Sequence, residues 1–84
     1  MILIKNNHID FAGGIQPSIQ QANSYIKKHK LKIKIEIEAR NIQEVKEILK
    51  TGNVARILLD NFSPSQIKNA LKLINHKVET EISG

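Results

Sequence analysis

The chain has 84 residues, enough for one small domain, and a domain of this size buries only about 60–65% of its unfolded surface. Thirteen basic and eight acidic residues give a formal charge of +5, which favours anionic partners such as phosphates, carboxylates, nucleic acid or acidic lipid without choosing among them. Because the sequence contains no cysteine, it excludes disulfides, thiolate metal sites and a thiol nucleophile.

The sequence does not resemble that of a membrane or secreted protein. No apolar run approaches the roughly 20 residues of a membrane helix. The apolar N-terminal run is interrupted at once by Lys5 and the polar residues Asn6–His8, unlike a signal peptide. Since a chain without disulfides suits a reducing compartment, we expect a cytoplasmic protein with no membrane partner.

The first half of the chain predicts two strands separated by one helix. The first strand, Met1–Lys5, starts at the first residue, and because domains rarely begin in a core strand, we expect a piece of a longer protein. Residues 6–14 are predicted to be a loop. A helix over Gln16–His29 follows, with Pro17 in its first turn and an apolar face at helical spacing formed by Ile15, Ile19, Ala22 and Ile26.

The second predicted strand, Lys32–Glu38, alternates strictly between isoleucines and charged residues. Its isoleucine face should pack on helices, and its charged face should meet solvent or a polar cavity. For Glu36 we expect a structural role, in a pair with Lys34 or with a neighbouring strand.

The second half predicts two further helix–strand units. Asn41 is a candidate N-cap, with Glu44 placed as in a capping box, and Gly52 ends that helix. A strand over Arg56–Asp60 is followed by a helix capped by Ser63, with Pro64 at its first position, and by a strand over Lys77–Ser83. The predicted apolar faces of the two helices are Ile42, Val45, Ile48 and Leu49, and Ile67, Ala70, Leu71 and Ile74.

The four predicted strands each end on a polar residue: Lys5, Glu38, Asp60 and the pair Ser83-Gly84. Strands joined by helical crossovers are parallel, so these residues should lie at one edge of the sheet, where barrel enzymes bind substrate. The pattern predicts a parallel β-α-β-α-β-α-β segment of a TIM-like barrel. Four strands cannot close such a barrel.

The strand-end motifs resemble the quinolinate phosphoribosyltransferase family, also called nicotinate-nucleotide pyrophosphorylase (carboxylating). They occur in the family's order and spacing and span the whole chain; they are Leu3–His8, Gly13-Gly14, Ile35–Glu38, Leu58–Pro64 and Glu81–Gly84. The resemblance implies an N-terminal sandwich domain followed by an incomplete phosphoribosyltransferase barrel. Residues 1–84 would form a single partial barrel domain from the middle of that barrel.

The resemblance also implies an activity and its residues. The family transfers the phosphoribosyl group of phosphoribosyl pyrophosphate to quinolinate, giving nicotinate mononucleotide, pyrophosphate and CO₂ in NAD biosynthesis, with Mg²⁺ as cofactor. Lys5 would contact a substrate carboxylate or phosphate. Glu38 and Asp60 would bind ribose hydroxyls, hold Mg²⁺ and stabilise an oxocarbenium-like centre. Ser83 and Gly84 would begin a phosphate-binding turn.

The chain also departs from the family pattern. Many members have an aspartate where this chain has Asn6. The family's substrate-binding arginines lie upstream of this segment, and Arg40 and Arg56 do not match them. His8 and Asn61 fit motif positions but receive no chemical role. Because the catalytic set is incomplete, we expect the 84-residue chain to be inactive alone.

Other interpretations remain open. Lys5, Glu38 and Asp60 could be ordinary strand-end or turn residues. The basic run 27–32 spans a helix C-terminus and lacks interleaved aromatic residues, so a solvated face is expected and nucleic acid is not. Two open parallel edges favour pairing between copies, so we expect a homo-oligomer, and a non-catalytic self-assembling half-barrel is the alternative function.

Overall fold

Four strands and four helices make up the fold in the computed structural model, which describes residues 1–83. Helices follow the first three strands, and two consecutive helices stand between the first and second strands. In chain order the elements are β1 (Ile2–Ile4), α1 (Asn6–Ala12), α2 (Ile15–Lys28), β2 (Ile35–Ala39), α3 (Ile42–Thr51), β3 (Arg56–Asp60), α4 (Pro64–Ile74) and β4 (Glu79–Ser83).

The strands form one sheet in the order β1-β2-β3-β4, and every neighbouring pair is parallel. Leu3 lies opposite Glu36, Glu36 opposite Arg56, and Arg56 opposite Glu79. This sequential order is the arrangement of a parallel barrel wall, so the predicted α/β class and β-α repeat are confirmed.

The hydrophobic core lies between one face of the sheet and the helices. Because side chains alternate along a strand, Ile4, Ile37 and Ile57 point to the same face, and all three are fully buried. The buried helical residues that pack in the same cluster are Ile9, Ile15, Ile19, Ala22, Val45, Ile48, Ala70 and Ile74. The predicted apolar faces are thus largely confirmed. The exception is Leu71, which is 46% exposed beside β4.

The predicted loop over residues 6–14 was wrong, because residues 6–12 form helix α1. Asn6, Asn7 and His8 are polar, weak helix formers, so the sequence carries no helical apolar period there. Tertiary contacts supply what the sequence pattern lacks: Ile9 is buried, and Gly13 closes the helix with φ 97°. The Gly14 N–H donates to the Ile9 carbonyl at 2.9 Å, which completes the turn between α1 and α2.

Two predicted strands begin later than expected. Pairing of β2 starts at Ile35, opposite Ile2, so Lys32–Lys34 lie outside the strand. β4 starts at Glu79, because the Lys77 N–H donates to the Ile74 carbonyl and continues the turn after α4. The bounds predicted for β3 are confirmed.

The helix caps differ in detail from the sequence prediction. Asn41 caps α3 by accepting from the Glu44 N–H at 2.9 Å, as predicted. The Glu44 carboxylate does not return to Asn41, since it accepts from the Arg40 N–H at 2.7 Å. A complete capping box occurs instead at α4, between Ser63 and Gln66. No helix among residues 1–83 is both long and apolar enough to span a membrane.

Candidate functional site

The sheet face opposite the helical core is predominantly polar and is arranged in levels. Register and alternation place Leu3, Glu36, Arg56 and Glu79 on a lower level. The middle level contains Glu38, Leu58 and Glu81, with Lys5 next to Glu38, and the upper level contains Asp60 and Ser83. We call these ten residues the inner face. It has five carboxylates and two cations, so it is acidic although the whole chain is basic.

Glu36 is the most buried charged residue of the inner face, at 8% exposed. Its Oε1 lies 4.0 Å from Nη1 of Arg56 on the neighbouring strand, so the structural pair predicted for Glu36 is confirmed. Burial raises the pKa of Glu36, the nearby Glu81 carboxylate raises it further, and Arg56 opposes both. Oε2 of Glu36 is buried and has no hydrogen-bond partner, whereas a proton shared with Glu81 would supply one.

Arg56 is held mainly by Glu79 at the beginning of β4. Nη2 and Nε of Arg56 donate to Oε2 of Glu79 at 2.8 and 3.1 Å. The hydrogen bonds and charge of Arg56 lower the pKa of Glu79, and Glu79 in turn raises the pKa of Arg56. Arg56 therefore lies far below the strand ends, where it stabilises the lower level of the inner face.

Glu38, half-buried near the end of β2, is held by the backbone that directly follows the neighbouring strand β1. Its Oε1 accepts a hydrogen bond of 3.1 Å from the Asn6 N–H at the start of α1. Lys5 is the N-cap residue of that helix and is exposed. The structure thus brings Lys5 and Glu38 to adjacent positions on neighbouring strands.

Asp60 and Ser83 form the upper level of the same edge. They are register partners on β3 and β4, and the Asn61 N–H donates to the Ser83 carbonyl at 3.1 Å. Asn61 takes a left-handed conformation with φ 59°, which turns the chain away from the sheet directly after Asp60. Gly84, the other predicted residue of the phosphate turn, lies outside the described residues.

A network that the sequence analysis missed joins the exits of β1 and β2. Arg40 bonds Asp10 of α1 through Nη1 and Nη2 at 3.1 and 3.0 Å, and its Nη2 bonds Glu44 of α3 at 2.7 Å. These partners raise the pKa of Arg40, with Glu44 contributing most. The i, i+4 spacing of Arg40 and Glu44 was a visible signal. The contact with Asp10, 30 residues away in sequence, has no sequence signal.

The strand-end edge of the sheet offers carboxylates to a cation but does not surround the cation with protein ligands. No group of three or more His, Cys, Asp or Glu side chains suited to a metal occurs among residues 1–83. Magnesium is usually held by one or two carboxylates, with substrate phosphates and waters completing its shell. Glu38 and Asp60 provide two carboxylates at neighbouring strand ends, and this donor set fits such an open site.

One broad cavity of the described residues lies away from these strand ends. It measures about 950 Å³ and opens beside the outer edge of β4, where Leu71, Ile74 and Val78 contribute apolar surface. The chemistry-bearing residues at the upper edge, Lys5, Glu38 and Asp60, do not line it. We therefore place the candidate site at the strand ends and regard the cavity as an uncovered flank of the sheet.

Sequential parallel strands, helices on one face and polar strand ends define the class: this chain is a section of a TIM-like α/β barrel. A family model described as "Quinolinate phosphoribosyl transferase, C-terminal domain" matches residues 1–84. The chain therefore belongs to the quinolinate phosphoribosyltransferase family, as its motifs suggested.

Individual relatives agree with this assignment. Quinolinate phosphoribosyltransferase [decarboxylating] 2, mitochondrial, from Nicotiana glauca is 37% identical over 98 aligned positions, covering 100% of this chain and 28% of the relative. A probable nicotinate-nucleotide pyrophosphorylase [carboxylating] from Methanocaldococcus jannaschii is 38% identical, covering 99% of the chain and 30% of the relative.

Solved structures share the fold closely. Nicotinate-nucleotide pyrophosphorylase from Ehrlichia chaffeensis is 43% identical with a TM-score of 0.88, and NadC from Streptococcus pyogenes is 35% identical with the same TM-score. Each comparison covers 99% of this chain and 28% of the solved chain. The chain thus spans between a quarter and a third of the length of these relatives.

Proposed function

We propose that this chain forms one wall of a quinolinate phosphoribosyltransferase active site, in a single partial barrel domain over residues 1–84. The reaction forms a bond between the pyridine nitrogen of quinolinate and C1 of the ribose and breaks the bond from that carbon to pyrophosphate. One ring carboxylate leaves as CO₂, and a proton takes its place on the ring carbon. The main support is that Lys5, Glu38, Asp60 and Ser83 share one edge and one face in a chain of this family.

The acidic residues of the edge suit the ribose better than the anionic groups. A carboxylate accepts hydrogen bonds from ribose hydroxyls and stabilises positive charge that develops at C1 as pyrophosphate departs. Glu38, held by the Asn6 N–H, and Asp60, at the end of β3, would take these roles. Bound Mg²⁺ would neutralise phosphate charge, and Glu38 and Asp60 are the residues that would hold it.

Few groups of this wall can bind the carboxylates and phosphates of the substrates. Quinolinate is a dicarboxylate and the second substrate carries several phosphates, so an acidic inner face repels both. Lys5 is the exposed cation at the edge, and its ammonium suits a carboxylate or phosphate. Ser83 and Gly84 would begin a backbone cradle for phosphate. Further cations must come from chain outside this wall, which is why the isolated wall should not turn over substrate.

A graft tests the proposal. Residues 1–84 would replace the matching segment of NadC from Streptococcus pyogenes, whose fold agrees at a TM-score of 0.88. Formation of nicotinate mononucleotide from quinolinate, phosphoribosyl pyrophosphate and Mg²⁺ is expected. A folded graft without product would contradict the proposal, and the same graft with the original segment restored is the control.

The alternative is that the free chain self-assembles into a closed barrel without catalysis. β1 and β4 each expose one edge, and a second copy rotated about a two-fold axis could pair its β1 with β4 at both junctions. The charges favour this pairing: the inner face of β4 carries Glu79 and Glu81, and that of β1 leads to Lys5. The cavity beside β4, lined by Leu71 and Val78 and by charged residues such as Lys77 and Glu79, is the surface that a second copy would cover.

Solution mass decides whether the free chain assembles. Light scattering should give twice the 9.5 kDa of one chain, and Leu3→Glu on the β1 edge, which would face Glu79 and Glu81 of the second copy, should shift the mass toward the monomer. The exposed substitution Gln43→Glu on α3 adds the same charge away from both edges and should leave the dimer intact. A monomeric mass at high concentration would end this alternative. A cytoplasmic location and the lack of a nucleic-acid partner remain predictions.

A further inference from the structure

Arg40 lies at the centre of a closed ring of contacts around the exit of β2. It follows Glu38 by two residues, and it binds Glu44 on α3 and Asp10 on α1. Helix α1 returns to β2 through the Asn6 N–H, which donates to Glu38. We propose that Arg40 is a positioning residue, which orients Glu38 by holding α1 through Asp10. The role of Glu38 in catalysis rests on the proposed function, but the positioning does not.

The Glu44 carboxylate anchors the ring on the core side. Its side chain is only 11% exposed, and it accepts from Nε and Nη2 of Arg40 and from the Arg40 backbone N–H. This leaves the guanidinium with one fixed orientation. The remaining donors of the same planar group face Asp10, which they bind at both carboxylate oxygens.

Helix α1 needs this external support. It has seven residues, well below the roughly 12 at which an isolated helix becomes even marginally stable. Its other attachments among the described residues are the burial of Ile9 at its centre and the closing turn at Gly13 and Gly14. The Asn6 N–H is at the first helical position, so small rotations of α1 move this donor relative to Glu38.

An arginine is required because the two carboxylates lie on different helices. Its planar fork presents several N–H donors in fixed directions, and here Nε, Nη1 and Nη2 are all used. A lysine has one charged nitrogen and would contact either Asp10 or Glu44 well. We therefore expect Arg40→Lys to keep only part of the support that Arg40 gives to α1. If the positive charge at residue 40 were all that mattered, Arg40→Lys would keep this support in full.

NMR on the ¹⁵N-labelled 84-residue chain tests the positioning directly. The Asn6 N–H donates to the Glu38 carboxylate, so Glu38→Gln should shift the Asn6 amide proton resonance and speed its hydrogen exchange. Asp10→Asn and Arg40→Gln should shift the same resonance in the same direction by at least about half as much, and should speed hydrogen exchange at Asn6 about tenfold. Arg56→Gln removes a comparable ion pair at the lower level and should leave Asn6 unchanged.

The variants Arg40→Gln and Asp10→Asn test the proposal independently of each other. If Arg40→Gln fails to fold, Asp10→Asn still decides, because it leaves the pair of Arg40 and Glu44 intact. An unchanged Asn6 resonance and unchanged hydrogen exchange in folded Asp10→Asn would overturn the proposal. Since no substrate is involved in these measurements, an inactive graft together with the expected changes at Asn6 would contradict the proposed function and leave the positioning intact.

Discussion

The Asn6 N–H and Oε1 of Glu38 are joined by a hydrogen bond of 3.1 Å across 32 residues of sequence. The bond links the exits of β1 and β2, and its donor is a backbone group. The side chain at residue 6 takes no part in this contact, and its Oδ1 is buried without a hydrogen-bond partner. The orientation of Glu38 depends on where α1 lies, and much less on which side chain residue 6 carries.

Neutralising Glu36 should stabilise the fold at neutral pH. Because its folded pKa is raised, Glu36 contributes most to stability below its unfolded pKa of 4.5, and this contribution is lost as the pH rises through the folded pKa. Glu36→Gln mimics the protonated form, so it should gain about 1 kcal/mol in unfolding free energy at pH 7, the scale of a buried polar atom without a partner. Urea unfolding at pH 7 and pH 4 measures it.

The gain should disappear at pH 4, where the native carboxylate is largely protonated in the folded state. Glu47→Gln removes an exposed carboxylate from α3 and serves as the control, with little change at either pH. A loss of stability in Glu36→Gln at pH 7 would mean that the contact with Arg56 outweighs burial.

Substitution of Gly13 should destabilise the fold, although there is space for a side chain. A Cβ at this position would meet no atom within 4 Å, so the cost comes from the backbone, at φ 97°. Gly13→Ala should lower the unfolding free energy by about 1–2 kcal/mol, the penalty of a left-handed conformation. Gly13→Asn should cost less, since asparagine tolerates that region better. Equal stability of the alanine variant would show that α1 closes differently.

The α/β class and most of the elements could be predicted because their causes are local. The bounds of β3 and the start of α4 follow from alternation, Ser63 and Pro64, which act within a few residues. Helix α1 could not be predicted, because Ile9, Gly13 and the distant Arg40 stabilise it through tertiary contacts. Lys5, Glu38 and Asp60 were visible as strand ends, but the ring around Arg40 exists only once β1 and β2 are paired.

The isolated chain should produce no nicotinate mononucleotide. Its inner face offers Lys5 as the one cation at the upper edge within residues 1–83, while both proposed substrates carry several negative charges. Product would be followed chromatographically after mixing the chain with quinolinate, phosphoribosyl pyrophosphate and Mg²⁺. Turnover above a heat-denatured control would show that the chain needs no groups from outside the described wall.

The most direct test of the central claim is the turnover of the grafted enzyme with single substitutions at the strand ends. Glu38→Gln and Asp60→Asn keep side-chain size but remove the charge that stabilises the ribose centre, so each should lower kcat at least about 100-fold. Glu81→Gln, at the level of Glu38 but two strands away on β4, is the matched control and should retain most activity. Folded Glu38→Gln and Asp60→Asn grafts with unchanged kcat would contradict the account.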